Sequence, residues 1–303
     1  MRDGFSITHF CLYEGIMSRN YYGIALVLTA ALIWGLGGVC GQYLFNDHGV
    51  TSWWLISVRM LIGGIIFLGY DVLVNRTDIF KILKEDLKET IGFSFLGLLN
   101  AQLFFYWTIE LCNAATATVL QYTAPLMIMG WSIYKSKRAP ELRELLGIVG
   151  ALTGIFLIAT HGSLDSLAIS FNALVTGLIS AIGYALYSIL PIELLKKYQT
   201  ITVVGWGHIL PGICLCMITN PFNVPGHWNG MAIFALTVLI LGATVLTFAF
   251  YLSGLRIIGP VKASLLSCAE PLSSIAYVVT FLGTQLAAMD YLGMFCIIFT
   301  VFI

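Results

Sequence analysis

Long apolar runs separated by short polar connections make up most of this chain. Ten runs fall at about 22–45, 53–74, 91–111, 115–134, 145–160, 172–195, 201–219, 231–253, 261–282 and 287–303. A helix needs roughly 17–25 apolar residues to cross a bilayer, and most of these runs have that length. We therefore predict an all-α integral membrane protein with ten transmembrane helices and no room for a soluble catalytic domain.

The basic residues fall into alternate connections. Of the fifteen lysines and arginines, all but Arg59 lie at the N-terminus, in the second, fourth, sixth and eighth connections, or at the start of the ninth run. Cytoplasmic loops carry the excess of basic residues. The pattern predicts a multi-pass protein of the cell membrane with a cytoplasmic N-terminus. Residues 1–20 read as a cytoplasmic extension, and we expect residues 1–16, before Met17, to have no structure.

The composition agrees with an integral membrane protein and excludes several classes of function. Charged residues are 10% of the chain, against about 25% in soluble domains. The cysteines are scattered, and the Cys214–Cys216 spacing is too tight for a usual metal or redox motif. No phosphate-binding G-x-x-x-x-G-K-[ST] motif occurs, which argues against direct ATP drive. We expect no metal, no cofactor and no nucleic-acid partner.

The second half of the chain repeats the first at an offset of 146 residues. At this offset Pro125 meets Pro271, and Thr118 and Gln121 meet serines 264 and 267. Each repeat holds five runs, an odd number, so the second is predicted to insert upside down. Residues 21–160 and 161–303 form the two repeats. Inverted repeats are typical of transporters, whose binding sites lie at the midplane between the halves.

Several short segments recur in the order seen in one transporter family. They are Ala31-Leu32-Ile33-Trp34-Gly35, Val58-Arg59, Ala117 through Pro125 with Leu146-Gly147, and Ala263 through Leu272 with Leu292-Gly293. In this the chain resembles the EamA type of the drug/metabolite transporter superfamily. The resemblance implies an export carrier for amino acids, metabolites or drugs with a central cavity built by both halves.

Two features depart from that family's pattern. Many members carry Gly-Glu after the proline-bearing span of each repeat, whereas Arg138 and Thr284 stand at those positions here. The chain stops at Ile303, which aligns with Leu157 of the first repeat, so we expect the tenth helix to be truncated.

Glu270 is the most conspicuous candidate for chemistry. It lies ~14 Å into the ninth run, near the middle of a ~30 Å hydrocarbon core. A carboxylate there costs roughly 2–3 kcal/mol, so it should face protein or water. Pro271 donates no backbone hydrogen bond, and we expect this to free the carbonyl of Ser267. Glu270 is a candidate for proton coupling or substrate binding, with a structural hydrogen-bonded carboxyl as the alternative.

Polar side chains repeat along one face of the fourth and ninth runs. Thr118, Gln121, Tyr122 and Pro125 follow helical spacing, and Ser264, Ser267 and Pro271 repeat it. We favour a substrate cavity over hydrogen bonding between helices as their role, with the two prolines as helix breaks.

Four further residues lie at midplane depth. Asn100 and Gln102 point in different directions, so we expect one of them to face the cavity. Trp34 and Tyr184 are paired by the repeat, and both packing and ligand contact stay open for them.

His208 and Arg59 are isolated within their runs. A buried core histidine and a proton relay are both open for His208. Arg59 lies ~9 Å from the outer start of its run, and we expect it to extend toward the surface or pair with Glu110. The cavity should then hold almost no basic residue, which disfavours phosphate-rich substrates.

These features favour a secondary carrier that exports a small molecule by alternating access. A channel-like facilitator and an intramembrane enzyme are the alternatives, although the histidines are dispersed and no G-x-S-x-G or H-E-x-x-H motif occurs. We predict no catalytic residues, and a small-molecule substrate and the bilayer as partners. A homodimer stays open.

Overall fold

The computed structural model describes residues 4–139, 141–161, 168–267 and 269–299. Within these residues it holds helices and no β-strand, which confirms the predicted all-α class. The α-helices are α1 Gly4–His48, α2 Ser52–Tyr70, α3 Lys81–Glu85, α4 Leu87–Ile91, α5 Asn100–Leu111, α6 Ala114–Gln121, α7 Ala124–Ser136, α8 Leu142–Thr160, α9 Phe171–Ile189, α10 Ile192–Lys197, α11 Thr200–Thr219, α12 Gly230–Thr237, α13 Thr247–Ile258, α14 Pro260–Leu266, α15 Ala269–Leu282 and α16 Ala288–Phe299. The π-helical segments Asp71–Asn75, Gly92–Leu99 and Val238–Leu246 are each continuous with neighbouring α-helices.

Among the residues that the structure describes, six helical stretches are both long and apolar enough to cross a bilayer. They are Arg19–His48, Ser52–Asn75, Phe171–Lys197, Thr200–Thr219, Gly230–Ile258 and Pro260–Leu282. The shortest has 20 residues, which at ~1.5 Å per residue spans about 30 Å. The other four predicted runs coincide with residues 87–111, with α6 and α7, with α8 and with α16. Length and composition therefore support six crossings directly.

The N-terminal segment differs from the expectation of an unstructured extension. Helix α1 begins at Gly4 and continues without interruption into the first apolar run. This stretch has no proline, and an internal glycine such as Gly15 costs a helix only about 1 kcal/mol. The prediction of no structure for residues 1–16 is wrong from Gly4 onward, because no residue there stops the helix.

The two halves repeat each other's backbone irregularities. The π-helical segments Gly92–Leu99 and Val238–Leu246 begin 146 residues apart, the offset at which the sequence repeats. Each leads directly into a 12-residue α-helix, α5 in the first half and α13 in the second. π-Helical turns leave some carbonyls without their usual helical partner and are frequent at functional sites.

Helices α2 and α11 pack against each other through reciprocal glycine contacts. A Cβ at Gly64 would lie 2.7 Å from the backbone nitrogen of Ile209, and a Cβ at Gly212 would lie 2.7 Å from that of Leu61. Both glycines and both partners are 148 residues apart. Each half therefore makes the same contact to the other, as a local two-fold relation requires.

The outward faces of the peripheral helices carry large apolar side chains. Leu152 on α8, Phe234 on α12 and Phe295 on α16 each leave about 60% of their surface exposed. Contiguous exposed apolar surface is uncommon in soluble monomers. It suits contact with lipid, which places the polar residues described next inside the helix bundle.

Candidate functional site

Two helices are interrupted at equivalent places, one in each half. The first half has a turn at Tyr122 and Thr123, between α6 and α7, and Pro125 is the second residue of α7. In the second half α14 ends at Leu266 and α15 begins at Ala269, two residues before Pro271. A proline is tolerated in the first turn of a helix, where its missing N–H would have no partner.

The Ser267 carbonyl is not left free as we expected. It accepts a hydrogen bond from the backbone nitrogen of Glu270 at 2.9 Å. The chain tightens into a three-residue turn at this point, so the nearby amide takes the place of the one that Pro271 lacks. That part of the sequence prediction is wrong, and any chemistry here belongs to side chains.

The two interrupted helices contact each other through side chains near their breaks. The hydroxyl of Tyr122 donates to Oε2 of Glu270 at 2.7 Å. One turn away, the hydroxyl oxygens of Thr118 and Ser274 lie 3.4 Å apart. Glu270 is 4% exposed, so its carboxyl sits inside the protein. A phenol donating to a buried carboxyl thus joins the two halves at their centre.

A small cavity lies beside this contact and is bounded by both halves. Its lining comprises Trp34, Arg59, Ala101, Gln102, Phe105, Tyr106, Gln121, Tyr184, Tyr187, Phe248 and Glu270. Its volume is about 40 Å³, enough for a few water molecules. A metabolite-sized compound needs several hundred Å³, so the cavity is in a closed form and the helices must separate to admit one.

Aromatic rings form one wall of the cavity. Tyr184 and Tyr187 are stacked, with ring centroids 4.9 Å apart and planes 4° from parallel. Trp34 packs edge-on against Phe248 at 5.2 Å, and Phe248 in turn lies 5.9 Å from Tyr187. Such pairs add about 0.5–1.5 kcal/mol each beyond their buried area. The wall is therefore rigid and apolar, with the hydroxyl of Tyr184 engaged by Ser267.

Arg59 lies on the cavity and not at the membrane surface. Its side chain is 1% exposed, and its Nε and Nη2 donate to the hydroxyl of Thr244 at 3.0 and 2.8 Å. Nη2 also donates to the carbonyl of Ala243 at 3.3 Å, and Cζ lies 4.5 Å from the ring centroid of Tyr106.

The expected partner of Arg59 makes a different bond. Glu110 instead accepts a bond from the backbone of Ser52 at 3.1 Å. The prediction that Arg59 reaches the surface or pairs with Glu110 is wrong, because the π-helical segment at Ala243 offers polar groups at cavity depth.

His208 contacts two residues of the cavity lining, Gln102 and Phe248. Its Nδ1 lies 2.9 Å from the carbonyl of Val204, so we place the proton there, and its Nε2 accepts from the Gln102 amide at 3.2 Å. The ring packs 4.8 Å from Phe248. His208 does not line the cavity, and both ring nitrogens are occupied, which fits a core histidine that orients Gln102.

Five predicted site residues line the cavity, and five do not. Those that do are Trp34, Gln102, Gln121, Tyr184 and Glu270; those that do not are Asn100, Thr118, Tyr122, Ser264 and Ser267.

The residues of the second group use their polar atoms in hydrogen bonds within and between helices. Asn100 donates to the carbonyl of Leu96 at 3.2 Å, and Thr118 to that of Ala114 at 2.6 Å. Ser264 donates to the carbonyl of Val261 at 2.9 Å. For these residues hydrogen bonding within and between helices, the alternative we did not favour, describes the geometry, because carbonyls three or four positions back lie within reach.

Six lining residues were not predicted from the sequence: Arg59, Ala101, Phe105, Tyr106, Tyr187 and Phe248. One signal was present for Tyr187, which follows Tyr184 by three residues and so shares its helix face. Arg59 was visible as the single basic residue well inside a span. Phe248 and Tyr106 had no signal, because apolar spans contain many aromatic residues that pack against lipid or neighbouring helices.

No metal site is formed by the part of the chain that the structure describes. Those residues contain no group of three His, Cys, Asp or Glu side chains close enough to hold an ion.

Comparison with known proteins gives consistent matches along most of the chain. The model of the EamA-like transporter family matches residues 21–160 and 171–303. The uncharacterised inner membrane transporter YicL of Salmonella typhimurium strain LT2 is 38% identical over 94% of this chain and 95% of its own. The uncharacterised transporters YcbK and YetK of Bacillus subtilis strain 168 are 23% and 22% identical, over 69% and 95% of this chain and 69% and 88% of their own.

One solved crystal structure has a similar fold. It superposes with a TM-score of 0.65 over 92% of this chain and 95% of its own, at 16% identity. A likeness at that identity shows the fold alone.

Proposed function

This chain belongs to the EamA-like transporter family, and we propose that it is a secondary carrier that exports a small metabolite, amino acid or drug-like compound by alternating access. The central cavity is the observation that carries the proposal. The first matched region contributes Trp34 and Gln121 to it, and the second contributes Tyr184 and Glu270. A binding site between two repeats at midplane depth is what rocking of one half against the other requires.

We propose ten crossings as two inverted repeats with a cytoplasmic N-terminus. The reciprocal contacts of α2 and α11 support the repeat relation. Two tryptophan pairs, Trp53 with Trp107 and Trp54 with Trp228, lie at the end of the bundle opposite the basic connections, with ring centroids 5.8 and 5.6 Å apart. Interfacial tryptophans and cytoplasmic basic residues both fit this orientation.

Cysteine labelling tests the orientation. Single cysteines in the connection at residues 137–139 should react only from the cytoplasm, and a cysteine at Asp47 only from outside. The reverse pattern would contradict both the orientation and the inverted repeat.

Contacts between the two halves occur at both ends of the bundle, which suits alternating access. At the basic end, Nζ of Lys197 and the hydroxyl of Tyr198 donate to Asp86 at 2.6 Å each. At the tryptophan end, the backbone nitrogen of His227 donates to the carbonyl of His48 at 2.8 Å. Opening toward one side needs only one of these sets to separate while the other stays closed.

We propose that Glu270 couples transport to proton movement. Its carboxyl is buried beside the cavity and held by Tyr122 across the interface between the halves. A carboxyl at such a place meets water on alternate sides as the halves move, and can take up a proton on one side and release it on the other.

A comparison of spent medium tests export itself. Cells that overexpress the chain should accumulate at least one compound outside that cells lacking the chain do not release. In reconstituted vesicles that compound should show saturable uptake, stimulated when unlabelled compound is present inside. Linear, unstimulated flux would point to a channel, and chemical conversion of the compound would point to an enzyme; either result contradicts the carrier.

A further inference from the structure

We propose that Arg59 binds a carboxylate of the transported compound, and that Gln102 accepts a hydrogen bond from a hydroxyl or amino group beside that carboxylate. The substrate class is then small organic acids that carry a hydrogen-bond donor next to the acid group. The inference rests on the proposed carrier function and names what its central cavity recognises.

Arg59 is a buried charge with an unused donor. Its Nε and Nη2 bond to Thr244 and Ala243, and the guanidinium also interacts with Tyr106, whereas Nη1 has no partner at hydrogen-bond geometry and the side chain is 1% exposed. In the part of the chain that the structure describes, no carboxylate lies within 4.0 Å of the guanidinium, since the ion pairs there involve other residues. A guanidinium stays protonated in proteins, and a buried charge without a counterion is strongly unfavourable.

Glu270 does not supply that counterion. It lines the same cavity, yet its Oε2 is engaged by the Tyr122 hydroxyl, and no ion pair joins it to Arg59. The helix contacts of Arg59, a residue of the cavity lining, use Nε and Nη2 and leave Nη1 without a partner. In that arrangement Nε and Nη2 anchor the Arg59 side chain, and Nη1 is left as a charged donor for a ligand.

Gln102 offers the complementary acceptor. Its amide nitrogen donates to His208, which fixes the orientation of the side chain, and its Oε1 is buried without a partner. Both Gln102 and Arg59 line a cavity of only about 40 Å³, and each has one buried polar atom without a partner. A donor and an acceptor from two lining residues match a carboxylate with a neighbouring O–H or N–H once the helices separate to admit it.

The rest of the lining restricts the substrate further. Trp34, Tyr187 and Phe248 present rings, which favours an apolar or aromatic body on the acid. A single guanidinium neutralises one carboxylate but not a multiply charged phosphate chain. Phosphate-rich substrates therefore remain disfavoured, as the sequence predicts. The prediction that the cavity holds almost no basic residue is wrong, because Arg59 lines it.

Binding to the purified full chain tests the proposal without any variant. The probes are 3-phenyllactate, its amide, which lacks the charge, and 3-phenylpropionate, which lacks the donor. Calorimetry or thermal-shift titration should give phenyllactate an affinity at least about 30-fold higher than that of the amide, the lower range for loss of a buried charge pair. Phenylpropionate should bind about 5–10-fold more weakly than phenyllactate. Equal binding of acid and amide, including no binding of either, overturns the proposal.

Two variants assign the effect to these residues. Arg59→Gln should lose the preference for acid over amide, and Arg59→Lys should recover part of it. Gln102→Met should lose the preference for phenyllactate over phenylpropionate while it keeps the preference for acid over amide. Arg256→Gln, at the membrane surface, is the matched control and should behave as the parent. Preferences unchanged in the Arg59 and Gln102 variants would show that these residues have only structural roles, and would overturn the assignment.

Export measurements separate a failure of this inference from a failure of the carrier function. If no compound depends on the chain for release, the carrier function fails. If released compounds are found and all are cations or neutral molecules, export stands and the carboxylate site is wrong. If they include organic acids, Arg59→Gln should reduce their release at least about 30-fold.

Discussion

The central cavity has two ionisable groups of opposite charge, and their surroundings differ. Glu270, from the second half, has its carboxyl oxygen engaged by Tyr122 of the first half. Arg59, from the first half, is anchored by Thr244 of the second half and keeps Nη1 unpartnered. Each charge is thus held by the opposite half, but only Arg59 has an unpartnered donor beside the cavity.

In the proposed carrier, this difference separates two tasks of one site. A group whose surroundings change when the two halves move needs a partner across the interface between them, and Glu270 has such a partner in Tyr122. A group that holds cargo needs a fixed position and an unoccupied donor, as Arg59 has. In the proposed carrier we therefore assign coupling to Glu270 and recognition to Arg59.

Gly183 lies where two helices that contribute to the cavity lining pack most closely, so its substitution should have the largest effect. A Cβ at Gly183 would lie 2.3 Å from the backbone nitrogen of Ala101, between the helices that carry Tyr184 and Gln102. Gly183→Ala forces these backbones apart and should cost about 3 kcal/mol of stability. Gly130→Ala is the matched control, because no atom lies within 4 Å of that Cβ, and it should be neutral or stabilising. Equal melting temperatures for the two variants would contradict this packing.

Removing the anchor of Arg59 should have the next largest effect. Thr244→Val deletes the hydroxyl that accepts two bonds from the guanidinium and should lower the free energy of unfolding by about 2 kcal/mol. Thr247→Val removes a buried hydroxyl that has no partner, so it should be neutral or stabilising. Thermal unfolding in detergent measures both. A larger loss in the Thr247 variant would contradict the role given to Thr244.

Removing the Tyr122 hydroxyl, which donates to Glu270, should change the transport rate more than the free energy of unfolding. Tyr122→Phe keeps the ring and deletes the 2.7 Å bond to the carboxyl. We expect pH-driven transport to slow by about tenfold, which corresponds to ~1.4 kcal/mol and lies within the range for a bond to a charged group. Tyr277→Phe, whose ring stacks on Phe281, is the control. Equal rates in the two variants would show that the Tyr122 bond is not used in transport.

Substitution of a third carboxylate, Asp86, should have the smallest effect and should not change the pH dependence of transport. The ammonium of Lys197, and then the hydroxyl of Tyr198, hold the pKa of Asp86 below its ordinary value. A lowered pKa means that the stabilisation is complete above the unfolded-state value of about 3.9 and is lost only as pH falls through the lower folded-state value. Asp86 therefore stays charged between about pH 5 and 8. Asp86→Asn should lower the melting temperature slightly and leave the pH profile of transport unchanged; a moved profile would place coupling at the basic end.

The sequence was sufficient for the architecture and for one of the two charges. Apolar runs, alternate basic connections and Pro125 with Pro271 predict a repeated membrane protein from local pattern alone. Glu270 stood out because a midplane carboxylate beside a proline is rare. Arg59 was misplaced because its depth suggested a path to the surface, whereas its acceptor Thr244 lies 185 residues away in sequence. Too many polar residues on one face of the fourth and ninth runs were predicted to line the cavity. Sequence spacing does not reveal that Thr118 and Ser264 bond to carbonyls of their own helix.

The most direct test of the account compares two transport modes in Glu270→Gln. With the labelled compound found in spent medium, reconstituted wild-type protein should support both pH-gradient-driven transport and counterflow. Glu270→Gln should fold, lose driven transport by at least about a hundredfold, and keep counterflow, which needs no net proton movement. Glu110→Gln is the matched control and should keep both modes. Loss of counterflow together with driven transport would make Glu270 a substrate ligand, and driven transport unchanged in well-folded Glu270→Gln would contradict the account.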